Sequence, residues 1–513
     1  MKDLIILGVD GMTWKVADIL LSKNKMPNLQ VFLDGGVKAY LDACDPLLTP
    51  IIWTSISSGV KPPKHGVSSF FNVPNDIKVP RIWDILSNER DFTYGLFRWP
   101  ITGSQINNNN EKFVIPPLGL GGPLVENHSI NPESYKYVTN LFGSRFKKGK
   151  GIIWKLKKLE NIIAESLNSF KLGLNFKTFL RYYRYLIFRS YYNSIDIHRN
   201  RYERNLLKMD IYQQVSLNLM DKFRSNFTGI YIEETDHFGH LFWKDMVDNG
   251  PYRSALFESY IKFDNYLGEV SKRAGPNTTI LIISDHGMRA INEKDLRINS
   301  DLLFKRLNLS SSLNKWQQSP KLYLWPDKND KNLNTSAKLI DLFTNVKLKS
   351  FSHEVFNIKE NEAGGISLSF SKKVSEKLYD DEIIKEEIIF DSKSICYLKD
   401  IIEYPDIDKL SGTHDSKGIF AIKGPNVKKG IELLTGCTIN AYDVFPTLAY
   451  NFGLPISEEI DGRVVKEIYI DDFLNKNSIE KIDSYDFKNN KKDKSDSEIS
   501  DAMIKRLKEL GYM

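Results

Sequence analysis

Short apolar runs that end in an acid recur along the chain: LIILGVD (4–10), GIYIEETD (229–236) and TTILIISD (278–285). Four to six apolar or β-branched residues bounded by turn formers read as buried strands. Between them lie segments with helical spacing. TWKVADILLSKNKMPNL shows it and is closed by Pro27, RIWDIL then leads into the run YGLFRWP, and YDVFPTLAYNFGLP follows a last strand-like run, GIFAIKG. Strands that alternate with amphipathic helices predict an α/β fold, a mainly parallel central sheet flanked by helices on both faces.

Two stretches break this rhythm. Residues of about 105–220 are polar, basic and aromatic, with NNNN at 107–110 and RYYRYLIFRSYYNSIDIHRNRYER at 181–204. Residues of about 301–410 mix charged helical pieces with KLYLW and GGISLSF. Both are read as insertions capping one sheet, whose core then covers about 1–104, 221–300 and 411–475 of a single domain spanning 1–475. Residues 476–498 read as a polar linker and the terminal SDAMIKRLKELGYM as a short amphipathic helix.

Composition narrows the class. The 513 residues are 41% hydrophobic and 27% charged, enough for a sizeable core in an ordinary globular chain. Three cysteines, Cys44, Cys396 and Cys437, are odd in number and far apart, which excludes a disulfide framework. The opening apolar run, Leu4 to Val9, is too short for a signal-peptide core or a membrane span, so a cytoplasmic protein is expected. The net charge of +6 is local: residues 145–210 hold 16 Lys/Arg against 5 Asp/Glu, and the rest of the chain is net acidic.

The strand ends carry the chemistry. In open parallel sheets ligand groups gather at the carboxyl ends of strands, and Asp10, Asp236 and Asp285 all fall there. His240 follows in DHFGH, His286 stands beside Asp285, and His414 precedes GIFAIKG; with His237 they make up half of the eight histidines. Each residue alone has a bland explanation, such as a helix cap or a satisfied core histidine. Together, carboxylates and imidazoles suit borderline divalent ions, Zn²⁺ or Mn²⁺. Counting Thr49, seven ligand-grade groups suffice for two ions, which could clamp an in-line displacement at phosphorus.

Thr49 belongs to LLTPIIWTSISSG, where Thr54, Ser55, Ser57 and Ser58 also carry hydroxyls. Pro50 favours the first helical position, which makes Thr49 the helix cap and places its oxygen at the positive end of the dipole. The other four hydroxyls are expected to bond back to the preceding turn. Thr49 is therefore the candidate nucleophile, and the helix amides are expected to help receive phosphate oxygens.

The pieces GVDGMTW, LLTPIIWTSISSGVKPPKHGV, ETDHFGH, ISDHGM, GTHDSKGIF and YDVFPTLAYNFGLPISEEIDGRVV resemble the alkaline phosphatase superfamily, and within it the type I phosphodiesterase/nucleotide pyrophosphatase group. The resemblance implies one metal held by Asp10, Thr49, Asp285 and His286, and a second held by Asp236, His240 and His414. It also implies attack by Thr49 on phosphorus and a phospho-threonine intermediate that water then hydrolyses. One departure concerns the nucleotide branch, which carries an Asn a few residues past its HG; here Ser68, Ser69, Phe70 and Phe71 intervene before Asn72.

The leading expectation is thus a metal-dependent phosphohydrolase, chiefly a phosphodiesterase or pyrophosphatase acting on a phosphate ester. Its rivals are a phospho-group transferase or phosphomonoesterase with the same site, and a non-catalytic binding protein that presents the basic, Tyr-rich insertion to membrane or polyanion. The surplus charge at 145–210 suits an anionic surface, no obligate nucleic acid is expected, and Arg98 at the end of a core strand is a candidate substrate contact.

Overall fold

Alternation within the first strand sorts its side chains between two cores. β1 (Asp3–Val9) sends Leu4 and Ile6 into one buried cluster, and Ile5, Leu7 and Val9 into another. β6 (Thr278–Ile283) divides in the same way, Leu281 and Ile283 against Ile280 and Ile282. A strand buried on both faces needs no polar positions, which is why these segments read as continuous apolar runs. The computed structural model describes residues 3–70, 72, 74–102, 109–117, 130–135, 138, 170–309, 313–326, 333–350, 353–376 and 381–485.

The main sheet runs, edge to edge, through the Ile431–Leu433 strand, β2 (Val37–Asp42), the Lys417–Lys423 strand, β6, β1, β5 (Phe227–Ile232), β3 (Tyr94–Phe97) and β4 (Glu111–Ile115). Its neighbours pair in parallel except at Lys417–Lys423, which is antiparallel to both β2 and β6. The exception follows from the path of the chain. After β6 the chain passes into β7 (Gly287–Ala290), and the returning Gly412–Asp415 strand pairs antiparallel with β7 before Lys417 enters the sheet. GIFAIKG therefore re-enters at the edge from which the chain left. The return sets His414 opposite Met288, two residues beyond His286.

The two interruptions are built differently. The sheet takes in Glu111–Ile115, so the first excursion from it begins beyond residue 115. The inner cap helix, Ile197–Lys222, buries Leu207, Met209, Ile211, Val215 and Leu219 in the same core as β1. The second insertion has a core of its own, around Leu322, Leu324, Ile366 and Leu368, and a four-stranded antiparallel sheet that includes the Asn314–Gln318 and Lys321–Trp325 hairpin. Asn107 and Asn108 of NNNN, residues 145–169 of the basic segment, and the C-terminal amphipathic helix lie outside the described residues. Among the described residues no helix is long and apolar enough to cross a membrane, and no disulfide joins the three cysteines.

The Thr49–Ser58 helix is buried along its whole length. It lies so close to β1 that a β-carbon on Gly8 would come 2.6 Å from the Trp53 ring. That ring has nowhere to go, since Trp99 and Tyr231 pack edge-on against it at 5.0 and 5.6 Å. A Gly8→Ala variant should accordingly lose about 1–3 kcal/mol of stability through overpacking, read as a lower urea midpoint at unchanged slope. A wild-type midpoint would show that the helix can slide on the sheet.

Candidate metal centre and nucleophile

The carboxyl edge of the sheet gathers six of the expected side chains into two groups, Asp10 with Asp285 and His286, and Asp236 with His240 and His414; within each group the ligand atoms lie within 4.8 Å of one another. Asp10 directly follows β1, and Asp285 and His286 follow β6 after Ser284. Asp236 is not at a strand end. It occupies the first turn of the Glu234–Asp248 helix, where His240, one turn later, shares its face. His414 comes from the returning strand.

The geometry is tight. His286 Nε2 is 3.3 Å from Asp10 Oδ1 and 3.4 Å from Asp285 Oδ2. Asp236 Oδ1 is 3.3 Å from His240 Nε2 and 3.4 Å from His414 Nε2, and those two nitrogens are 3.0 Å apart. The His286 and His414 rings stack at 3.5 Å, which joins the two groups into one centre.

Backbone carbonyls fix which nitrogen of each ring faces inward. His240 Nδ1 donates to Gly412 O at 2.8 Å, His286 Nδ1 to Gly287 O at 3.0 Å and His414 Nδ1 to Leu47 O at 2.9 Å. With the proton held there, each Nε2 offers a lone pair to the centre. The carboxylates are arranged to match: Tyr231 OH donates to Asp10 Oδ2, leaving Oδ1 toward His286.

All six residues are buried, and the crowding shows in their protonation. Burial, with Asp285 and Asp236 nearby, holds the Asp10 carboxyl well above the usual range, and burial pushes Asp285 up to about 7. Burial drives His414 down to about 3, so it stays neutral. Asp236 resists burial because His240 and His414 hold it well below the usual range, while His240 rises beside Asp236 against the pull of burial. Asp10 Oδ1, Asp285 Oδ2 and His286 Nε2 are buried without a hydrogen-bond partner. Acceptor atoms left bare in this way, on N and O donors of this kind, fit divalent cations.

Thr49 is joined to the centre through its approach loop. Leu47, two residues before it, accepts the His414 proton. The hydroxyl residue is buried and is the first residue of the helix, with Leu48 in extended conformation as the cap. The helix thus starts one residue earlier than the Thr-Pro pattern indicates, because Leu48 already adopts the flanking geometry. Pro50 has no N–H, and the Ile51 and Ile52 amides return to Leu48 O at 3.0 and 3.1 Å, so these positions do not present amides at the helix mouth. Thr54, Ser57 and Ser58 bond back to Pro50, Trp53 and Thr54 carbonyls as expected. Ser55 does not; its hydroxyl meets His65 Nε2 at 3.2 Å in the buried core.

Arg98 is committed elsewhere. Its guanidinium is 2.7 Å from Glu233, 3.3 Å from Glu234 and 3.8 Å from the Tyr212 ring, all buried. Asn72 Oδ1 accepts from the Ser68 and Ser69 amides at 2.9 Å, bracing its own loop. Two contributors escaped the sequence reading. Tyr231 sits among apolar strand residues, and only its place near the strand end hints at Asp10. Gln318 comes from the second insertion, with no spacing to mark it. Its amide packs against His414 Nδ1, and its Nε2 donates to Leu47 O at 3.3 Å.

None of the curated proteins matches the chain in sequence. Among solved structures it is similar to murine and human ectonucleotide pyrophosphatase/phosphodiesterase 5, each 14% identical, covering 91% of this chain and 100% of that one, at TM-scores of 0.48 and 0.49. An inactive form of the murine protein in complex with AMP aligns over 88% of this chain and 96% of that one, at 13% identity and a TM-score of 0.44. The model of the type I phosphodiesterase / nucleotide pyrophosphatase family matches residues 4–401. With the sheet, the acid-ended strands and the paired clusters in place, this chain belongs to the type I phosphodiesterase / nucleotide pyrophosphatase family.

Proposed function

We propose that the protein is a phosphodiesterase that holds two divalent cations, Zn²⁺ or Mn²⁺, and uses Thr49 as its nucleophile. The observation that carries this reading is the convergence of Asp10, Asp285 and His286 with Asp236, His240 and His414, their outer atoms already tied to backbone and Tyr231. The inward His nitrogens and carboxylate oxygens are the N/O donor set that borderline ions take. Such ions, when bound, offset charge on the non-bridging phosphate oxygens and lower the pKa of an oxygen nucleophile.

The chain's own residues supply the rest. Thr49 Oγ1, at the start of a buried helix, attacks phosphorus and gives up its proton to solvent; the bond to the leaving alkoxide breaks, the alkoxide takes a proton from solvent and departs as the alcohol, and a Thr49 phosphodiester forms. Water then attacks the same phosphorus, releasing the monoester and restoring the hydroxyl. Gln318 and His414 together hold Leu47 O, which keeps the approach to Thr49 in register with the ligands. Burial of the whole centre excludes bulk water and strengthens each of these interactions.

Thr49→Ala should lose essentially all turnover of a chromogenic phosphodiester while retaining bound metal, as determined by elemental analysis beside the wild type. Retained wild-type turnover would remove Thr49 from the mechanism. His414→Ala should lose metal and turnover together, and full activity in a metal-free preparation would remove the centre. Gln318→Leu should weaken metal affinity by about tenfold to a hundredfold, measured by competition with a chelator; unchanged affinity would leave His414 oriented by Leu47 alone.

A further inference from the structure

The outer cap helix, Phe176–Ile195, points an apolar face at solvent. Its inner side buries Thr178, Tyr182 and Tyr185 against the body of the protein. On the opposite arc Phe176, Leu180, Ile187, Tyr191 and Ile195 are 64, 51, 72, 58 and 63% exposed, with Phe188 beside them and Ile197 continuing the row. Spacings of four, seven, four and four residues keep the five on one side of a helix about 30 Å long. Exposed apolar side chains occur singly on most proteins, but a contiguous row of this length marks a contact surface.

Charge says what kind of surface. The helix carries Lys177, Arg181, Arg184 and Arg189 and no acid. Arg181 is engaged by Asp210 and Glu203, whereas Lys177 and Arg184 are exposed along the flank of the apolar row. Arg184 also borders a groove of about 270 Å³ between the two cap helices, with Arg181, Arg199, Tyr185 and Tyr192 around it. Aliphatic and aromatic side chains flanked by cations match the acyl–headgroup boundary of a bilayer.

We infer that this face docks on an anionic lipid surface. Two other occupants are disfavoured by charge. A two-fold contact with a second copy would bury Lys177 and Arg184 in an interface where the helix offers no acid to meet them. Residues 145–169 of the chain itself carry seven Lys/Arg against two Asp/Glu and would be repelled. A nucleic acid would match the cations but leave Leu180, Ile187 and Ile195 without an apolar partner.

The test is flotation of the full-length protein with vesicles of phosphatidylcholine alone or mixed with phosphatidylglycerol. Wild type should float with the mixed vesicles, less so as salt is raised, and stay behind with phosphatidylcholine alone. A Leu180→Ser/Ile187→Ser/Ile195→Ser variant and a separate Lys177→Gln/Arg184→Gln variant should each lose at least about tenfold in partitioning while hydrolysing a soluble diester at the wild-type rate. The second variant alters only exposed cations and reports even where the first fails to fold. The inference falls if wild type ignores anionic vesicles at low salt or if both variants float as before. It falls equally if the apolar variant abolishes a concentration-dependent dimer with no vesicle binding by wild type, or keeps full affinity for heparin in place of lipid.

Discussion

Three carboxylates and three imidazoles share one buried space at the sheet's carboxyl edge, and the surrounding structure is arranged around that crowding. Burial opposes ionisation of Asp10 and Asp285, and the charge of Asp236 nearby raises both further. Only positive charge placed among them relieves the conflict, which is the physical content of a metal site before any metal is named. His240 relieves it only for Asp236, beside which its own pKa rises. His414 is kept neutral by burial, and its outer nitrogen, like those of His240 and His286, is directed to a backbone carbonyl. The backbone thus sets the donor direction, and the carbonyls that set it, Gly412, Gly287 and Leu47, come from three separate segments.

That dependence explains why the second insertion is tied to the chemistry. Its hairpin reaches the loop before Thr49 at several points: Lys321 and Tyr323 donate to Asp45 at 2.9 and 3.0 Å, and Gln318 donates to Leu47 O. The Glu362 amide closes the same loop on Asp45 O at 3.0 Å. Thr413 donates to the Ser319 carbonyl, so the hairpin also holds the strand that carries His414. One small sheet therefore positions both the loop that leads to Thr49 and the strand that carries His414.

The acid-ended strands were legible because a fully buried strand must be apolar throughout, so a terminal Asp stands out against it. The DxxxH pair was legible because one helical turn aligns its members. His414 could be placed near the centre from its approach to GIFAIKG, although the antiparallel return that delivers it depends on where the chain left β6. Gln318, Tyr231 and the Leu47 carbonyl were not legible. Gln318 reaches His414 across 96 residues of separation, and a backbone carbonyl carries no signature at all. Arg98 misled for a related reason: a cation at a strand end invites an anionic ligand, and only the fold reveals that Glu233 and Glu234 already meet it.

The same buried charges link the cap to the centre. Lys208, on the inner cap helix, lies 3.4 Å from Glu233, which also holds Arg98 from the end of β3. Glu233 stands three residues before Asp236. Two cations and two carboxylates buried together contribute little net stability, because desolvation offsets their attraction. What they contribute is position, since removal of one member strands a charge in the interior. The inner helix cannot shift along the sheet without breaking this set, and the outer helix packs on the inner one through Tyr182, Tyr185 and Leu207. The exposed apolar face is consequently tied, through the inner helix and Glu233, to the segment that carries Asp236 and His240.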